Sequence, residues 1–232
     1  MPRRDVPEEV AAIRRAIEQY LNQNDEHGRA VGDAKYGVYA FYDYDGEPIY
    51  VGQTAEKLRV RIRRHLTNQR TDAVAMHVLD PFEVLDVAMW PMWDLEDRSV
   101  DPNEKSLALN QAEYTVYQRA LEQSALKAVL NEKTIAPTRL IALPSPIRGR
   151  IVPPEVYELR KHPDIRIARR ASTIARLASV ISERAVSPGL RRTLVTQARR
   201  LERLARQRMP DGESDLDLEA LDEETEESAD PR

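Results

Sequence analysis

Residues 35–54 read KYGVYAFYDYDGEPIYVGQT, a run of Tyr, Val and Phe divided by Asp45-Gly46. Aromatic and β-branched residues suit a pleated, half-buried surface, and Asp-Gly tolerates the positive φ that a tight hairpin turn requires. Two antiparallel strands follow, about Tyr36 to Tyr42 and Pro48 to Gly52. On the N-terminal side, Val6, Val10, Ile13, Ile17 and Leu21 recur at helical spacing, with Glu8 and Glu9 in the first turn where the helix dipole favours acids. On the C-terminal side, Lys57 to Leu66 reads as a helix and Arg70 to Leu79 as a weaker one. Phe82 to Trp90 (FEVLDVAMW) reads as a third strand. A polar loop, Asp94 to Lys105, then leads to a helix from Ser106 to Gln123 and a shorter one through Ala125 to Leu130.

Beyond the core, Pro137, Pro144, Pro146, Pro153 and Pro154 break both helix and ladder hydrogen bonding, so this segment reads as a linker or an extended arm along the core. After it, Ile167, Ile174, Leu177 and Ile181 form one apolar stripe. Leu190, Leu194, Leu201 and Leu204, with Ala198 and Ala205, form a second beyond Ser187-Pro188-Gly189. The pattern is that of a helical hairpin, whose outer face is expected to carry Arg169, Arg170, Arg176, Arg184, Arg191, Arg192, Arg199, Arg200, Arg203, Arg206 and Arg208. Asp211 to Arg232 is too polar to repay the entropy of ordering and reads as a disordered acidic tail.

The chain has 232 residues, no Cys and a net charge of -4. The length allows one domain with appendages or two small ones. Without cysteine there are no disulfides, no thiolate metal sites and no cysteine nucleophile. No apolar run approaches the roughly 18 residues that span a bilayer, and no apolar leader follows Met1-Pro2-Arg3-Arg4-Asp5. The expectation is a soluble, cytoplasmic chain with no membrane partner. The small net charge hides segregation: 17 basic and 23 acidic residues in 1–137, 17 and 5 in 138–210, 1 and 11 in 211–232. A nucleic-acid partner is therefore compatible with the composition.

Four features fall in order along the core: Gly37-Val38-Tyr39, Tyr50-Val51-Gly52, then Arg61 and His65, then Glu113 with Asn131 beyond. The spacing of Arg61 and His65 places both on one helix face. In this set the sequence resembles the GIY-YIG nuclease superfamily, in which a GIY strand and a YIG strand form a hairpin. A helix with Arg-x-x-x-His follows, and later a helix with a metal-binding Glu. Here the motifs read GVY, YVG, RIRRH and AEYTVY, with Asn131 in VLNEK. The resemblance covers roughly residues 36 to 133, and Val in place of Ile keeps a β-branched residue in both triplets.

For residues 36–133 the resemblance implies an α+β fold, a small three-stranded antiparallel sheet flanked by helices; the residue patterns add a C-terminal helical hairpin and a disordered acidic tail. Together they divide the chain into a lead-in helix (1–35), a GIY-YIG-like nuclease core (36–133), a Pro-rich linker or arm (134–154), a basic hairpin (155–210) and the tail (211–232). The resemblance also implies a divalent-metal-dependent endonuclease acting on DNA, with RNA not excluded. A homodimer or two nicks would serve duplex cleavage, and restriction or phage defence, homing and repair are the fitting roles. By the same resemblance Tyr50 is the general base, Tyr39 assists or orients it, and His65 bonds Tyr or phosphate. Glu113 is the ligand of Mg²⁺ or Mn²⁺, and Asn131 braces the site.

The chemistry of the residues agrees. A guanidinium such as that of Arg61 can bridge two phosphate oxygens, and a hard cation needs one or two carboxylates with water completing its shell. Gly37 and Gly52 read as backbone requirements. Other readings stay open: Tyr39 and Tyr50 as β-formers, Glu104 or Glu122 in place of Glu113, and Asn131 as a helix-end cap. Around Arg61, Arg63, Arg64 and Arg70 are candidate nucleic-acid contacts, as are Arg169, Arg170, Arg191, Arg192 and Arg199 of the hairpin. Their binding would be backbone-dominated and weakened by salt. The segment Arg70-Thr71-Asp72 and His77 cannot be placed from spacing. The rival class is a nucleic-acid-binding or structural protein that keeps the fold without turnover.

Overall fold

Asp43 organises the central hairpin. Its Oδ1 accepts the backbone N–H groups of Asp45 and Glu47 at 2.9 and 3.0 Å, and Gly46 takes the positive φ of 74° that the tight return demands. The strands so joined are β1, Gly37–Tyr42, and β2, Pro48–Thr54, with a register shift at Phe41/Tyr42. The computed structural model describes residues 7–66, 78–97 and 99–209. Arg70, Thr71, Asp72 and His77, most of the weaker helix expected there, and the acidic tail lie outside the described residues.

The antiparallel sheet has four strands in the order β2-β1-β3-β4, with β3 at Asp86–Pro91 and β4 at Ile147–Arg150. The sequence reading counted three. The fourth comes from the Pro-rich linker, where Pro146 and Pro153 flank a short run whose amides are free to pair with β3. The rest of the linker is an extended arm over the core. The Ile141 N–H donates to Thr115 Oγ1 at 3.0 Å and Trp90 Nε1 to the Pro144 carbonyl at 3.1 Å. Strand β3 starts later than Phe82 because Asp80 accepts the Phe82 N–H and opens a 3₁₀ turn, Pro81–Glu83.

Among the described residues six helices surround the sheet: α1 Glu8–Leu21, α2 Leu58–Leu66, α3 Pro102–Gln123, α4 Pro154–Arg160, α5 Pro163–Glu183 and α6 Pro188–Arg206. Helix α3 begins ahead of Ser106, since Asp101 accepts the Asn103 N–H at 2.8 Å and Pro102 is preorganised for the first turn. The short helix expected over Ala125 to Leu130 does not form. Lys127 takes a φ of 50°, and the chain then extends beside β2, where the Leu130 N–H donates to the Ile49 carbonyl at 2.8 Å.

Alternation along β1 sends Val38 and Ala40 to one side, against Ala112, Val116 and Ala120 of α3. Tyr39 and Phe41 go to the other, in a core shared with Ile17 and Leu21 of α1, Leu58 and Ile62 of α2, Leu177 of α5 and Leu190 of α6. Both faces of the sheet are covered, and every residue of β1 is buried.

The hairpin α5–α6 docks on the core through charge as well as apolar contact. Arg170 Nε donates to Glu83 at 2.9 Å, while Arg170 and Arg200 share Asp43 Oδ2 at 3.1 and 2.7 Å. Arg166 binds Asp45, Arg169 binds Asp80 and Arg203 binds Glu47 at 2.8 Å each. This corrects the expected outer face for two of its members: Arg170 and Arg200 are buried, as is Arg166 beside them. Apolar periodicity alone cannot register that the opposing surface, the acidic β1–β2 turn, attracts cations. Among the described residues of the hairpin, Arg176, Arg184, Arg191 and Arg199 are exposed and have no carboxylate partner.

Candidate active site

Cross-strand register places Tyr39 opposite Gly52 and Phe41 opposite Tyr50. The Tyr39 ring lies across Gly52: a Cβ there would come within 2.5 Å of Tyr39 Oη. A Cβ at Gly37 would meet the Trp90 carbonyl at 2.9 Å and Leu58 at 3.0 Å, so that glycine lets α2 approach β1. Both glycines are close-approach positions.

Leu58 and Ile62 anchor α2 in the core and turn Arg61 and His65 toward the tyrosines. Tyr39 is wholly buried, and its Oη lies 2.8 Å from His65 Nε2. The Tyr50 ring is half-buried, its centroid 6.2 Å from Tyr39 and 5.1 Å from His65. Burial disfavours the Arg61 cation, but the oxygens of Tyr39 and Tyr50 and the Glu56 carboxylate outweigh it and raise its pKa, so Arg61 stays charged. Its Nε is buried with no partner among the described residues. The neighbouring cations are engaged elsewhere: Arg59 with Asp33, Arg63 with Glu18 and Arg64 with Glu56.

Glu113 arrives from α3. Burial raises its pKa, and hydrogen bonds from the side chain and backbone of Gln53, with the charge of Arg61, hold that rise in check. Gln53 Nε2 donates to Glu113 Oε2 at 3.0 Å and to Asn110 Oδ1 at 2.7 Å. Asn131 is no helix cap. Its Oδ1 accepts the Val51 N–H at 3.1 Å and its Nδ2 donates to the Val51 carbonyl at 2.7 Å, so the side-chain amide acts as a strand partner on the open edge of β2.

Tyr50, Gly52, Gln53, Arg61, Glu113 and Asn131 line one cleft at that edge, with Val78 and residues 132–136 forming other walls. Glu104 and Glu122 are exposed and do not line it. Among the described residues no cluster of three or more His, Asp or Glu side chains could hold a metal ion, which leaves Glu113 as a lone carboxylate candidate beside Gln53. A half-buried, hard oxygen donor facing a cleft fits a cation that keeps most of its water. Gln53 and the 132–136 wall went unread in the sequence; only their place on the β2 edge marks them.

Residues 35–96 match the family model of the GIY-YIG catalytic domain. The chain carries a GIY-YIG catalytic domain. The match takes in Gly37, Tyr39, Tyr50, Gly52, Arg61 and His65 and stops short of α3; Glu113 and Asn131 share the cleft with Tyr50, Gly52 and Arg61 by geometry alone. The domain belongs to a nuclease family, which implies a nucleic-acid substrate. No curated protein and no solved structure matches the chain. Among the described residues, no helix is long and apolar enough to cross a membrane.

Proposed function

We propose that the chain is a divalent-metal-dependent endonuclease that hydrolyses DNA phosphodiester bonds. The observation that carries this reading is the single cleft in which Tyr50, Arg61 and Glu113 meet, backed by the buried Tyr39–His65 pair. Tyr50 lines the cleft, so its oxygen can take the proton of the attacking water; Tyr39, fully buried, orients Tyr50 and relays to His65. The Arg61 guanidinium holds two oxygens of the scissile phosphate, its unpartnered Nε supplying one donor. The same positive charge stabilises a phenolate on Tyr50 while the proton is in transfer.

Glu113 would hold Mg²⁺ or Mn²⁺, which when bound supplies positive charge to the departing 3′ oxygen. Gln53 keeps the Glu113 carboxylate oriented toward the cleft. One such site cuts one strand at a time, so duplex cleavage takes a homodimer or two successive nicks. Of the surface cations named from the sequence, Arg191 and Arg199 remain the simplest phosphate contacts of the hairpin, being exposed without ion-pair partners among the described residues.

The test incubates supercoiled plasmid, single-stranded DNA and an RNA oligonucleotide with Mg²⁺ or Mn²⁺, using wild type, Arg61→Ala and Glu113→Ala. Metal-dependent cleavage by wild type and its loss in both variants is the expected result. No cleavage of any substrate overturns the enzyme reading in favour of a binding protein with a nuclease fold. Cleavage of RNA alone moves the substrate class.

A further inference from the structure

Helix α6 and the Ser187 that caps it touch the cleft wall at three separate points. Ser187 Oγ donates to Glu132 Oε1 at 3.2 Å, Arg192 Nη2 to Thr134 Oγ1 at 2.9 Å, and Gln197 Nε2 to the Val78 carbonyl at 3.1 Å. Glu132, Thr134 and Val78 all line the cleft. At the first point the approach is extreme. A Cβ on Gly189 would lie 1.8 Å from the Glu132 carbonyl oxygen and 2.9 Å from its carbon, both backbone atoms. Gly189 does not have a positive φ, so glycine is required there for space alone.

Glu132 follows Asn131, whose amide closes the β2 edge at Val51. Two residues further along β2, Gln53 holds Glu113. Force on the Glu132 backbone therefore passes through Asn131 to the strand that carries Tyr50, Gly52 and Gln53. We infer that Gly189 is a positioning residue of the nuclease site, and that α6 backs the cleft wall, pressing residues 130–134 onto the edge of β2. The hairpin then serves catalysis through the geometry of the wall, in addition to any contact its exposed arginines make with phosphate. The kinetic part of this inference rests on the endonuclease reading; the structural part does not.

Gly189→Ala forces Glu132 and α6 apart by about 1 Å or more, a misplacement that costs on the order of 10- to 100-fold in rate at an active site. The full-length variant is expected to lose that much kcat with KM and DNA affinity near wild type. Independently of activity, amide hydrogen exchange followed by NMR reads the wall directly. The Val51 N–H, bonded to Asn131, is expected to exchange at least about 10-fold faster than in wild type, while the Ala40 N–H of the central strand keeps its rate. Ser187→Ala, which removes the Glu132 contact and the cap that accepts the Leu190 N–H at the start of α6, is expected to move Val51 the same way by less, and it carries the test if Gly189→Ala does not fold. Unchanged Val51 exchange in a folded variant overturns the inference. So does a loss confined to DNA affinity and its salt dependence, which would make the hairpin a binding handle only. If wild type cleaves nothing, the endonuclease reading fails and the Val51 exchange still decides the wall.

Discussion

Removing the Asp43 carboxylate should unfasten the hairpin from the core. The side chain is 1% exposed, and its Oδ2 is shared by Arg170 and Arg200, whose side chains are 4% and 8% exposed. A third guanidinium, that of Arg166, stands 3.9 Å away. Burial already disfavours the Arg200 cation, with Asp43 the principal charge opposing that shift. In Asp43→Ala Arg200 loses its buried anion and Arg170 one of its two, a situation that costs about 3–5 kcal/mol, and two turn hydrogen bonds at about 1 kcal/mol each are lost with it. Arg170 keeps Glu83, which pulls the sum toward the lower end. A total of about 4–6 kcal/mol corresponds to a fall in Tm of roughly 10–20 °C for a chain of this size.

Asp43→Asn separates the two contributions. Its Oδ1 can still accept from Asp45 and Glu47, while Nδ2 points a donor at two guanidinium donors, so about 3–5 kcal/mol is still expected to be lost. Thermal and urea unfolding followed by circular dichroism measure both variants. A Tm for Asp43→Ala within about 3 °C of wild type would refute the reasoning, leaving apolar packing as what holds α5 and α6 in place.

Two further outcomes follow from the site. Gln53→Ala removes the side-chain hydrogen bond that restrains the Glu113 pKa and keeps the backbone one, so the pKa rises further; because the carboxylate must be ionised to hold a cation, the acid limb of the pH–rate profile should move to higher pH, and an unmoved limb would separate Glu113 from metal binding. The same sign applies to stability: ionised Glu113 weakens the fold above its raised pKa, and that penalty vanishes as pH falls through it. Tyr39→Phe keeps the buried ring and loses the Oη contacts to His65 and Arg61, so stability should fall by about 1–2 kcal/mol while kcat drops on the order of 10- to 100-fold at steady KM. A wild-type kcat in that variant would make the Tyr39–His65 pair purely structural.

Much of the core was legible because its signals are local. Asp45-Gly46 between aromatic strands, the helical stripes of α1 and α2, and the Arg61/His65 spacing each depend on residues a few positions apart. The misread elements depended on distant partners. Residues 147–150 become β4 only because β3 has a free edge, residues 125–130 extend because the edge of β2 accepts Leu130 and Asn131, and Gln53 acquires a role only once α3 brings Glu113 beside it.

The hairpin shows the division most clearly. From the sequence alone came two amphipathic helices, a strongly basic segment and a GIY-YIG-like motif order, since periodicity, charge and spacing are properties of the chain read in one dimension. Whether an arginine faces DNA or a carboxylate is decided by what lies opposite it. Burial against the acidic β1–β2 turn, a question of tertiary packing, turned Arg166, Arg170 and Arg200 into internal ion pairs, and the missing side chain of Gly189 let α6 close on the wall of the cleft.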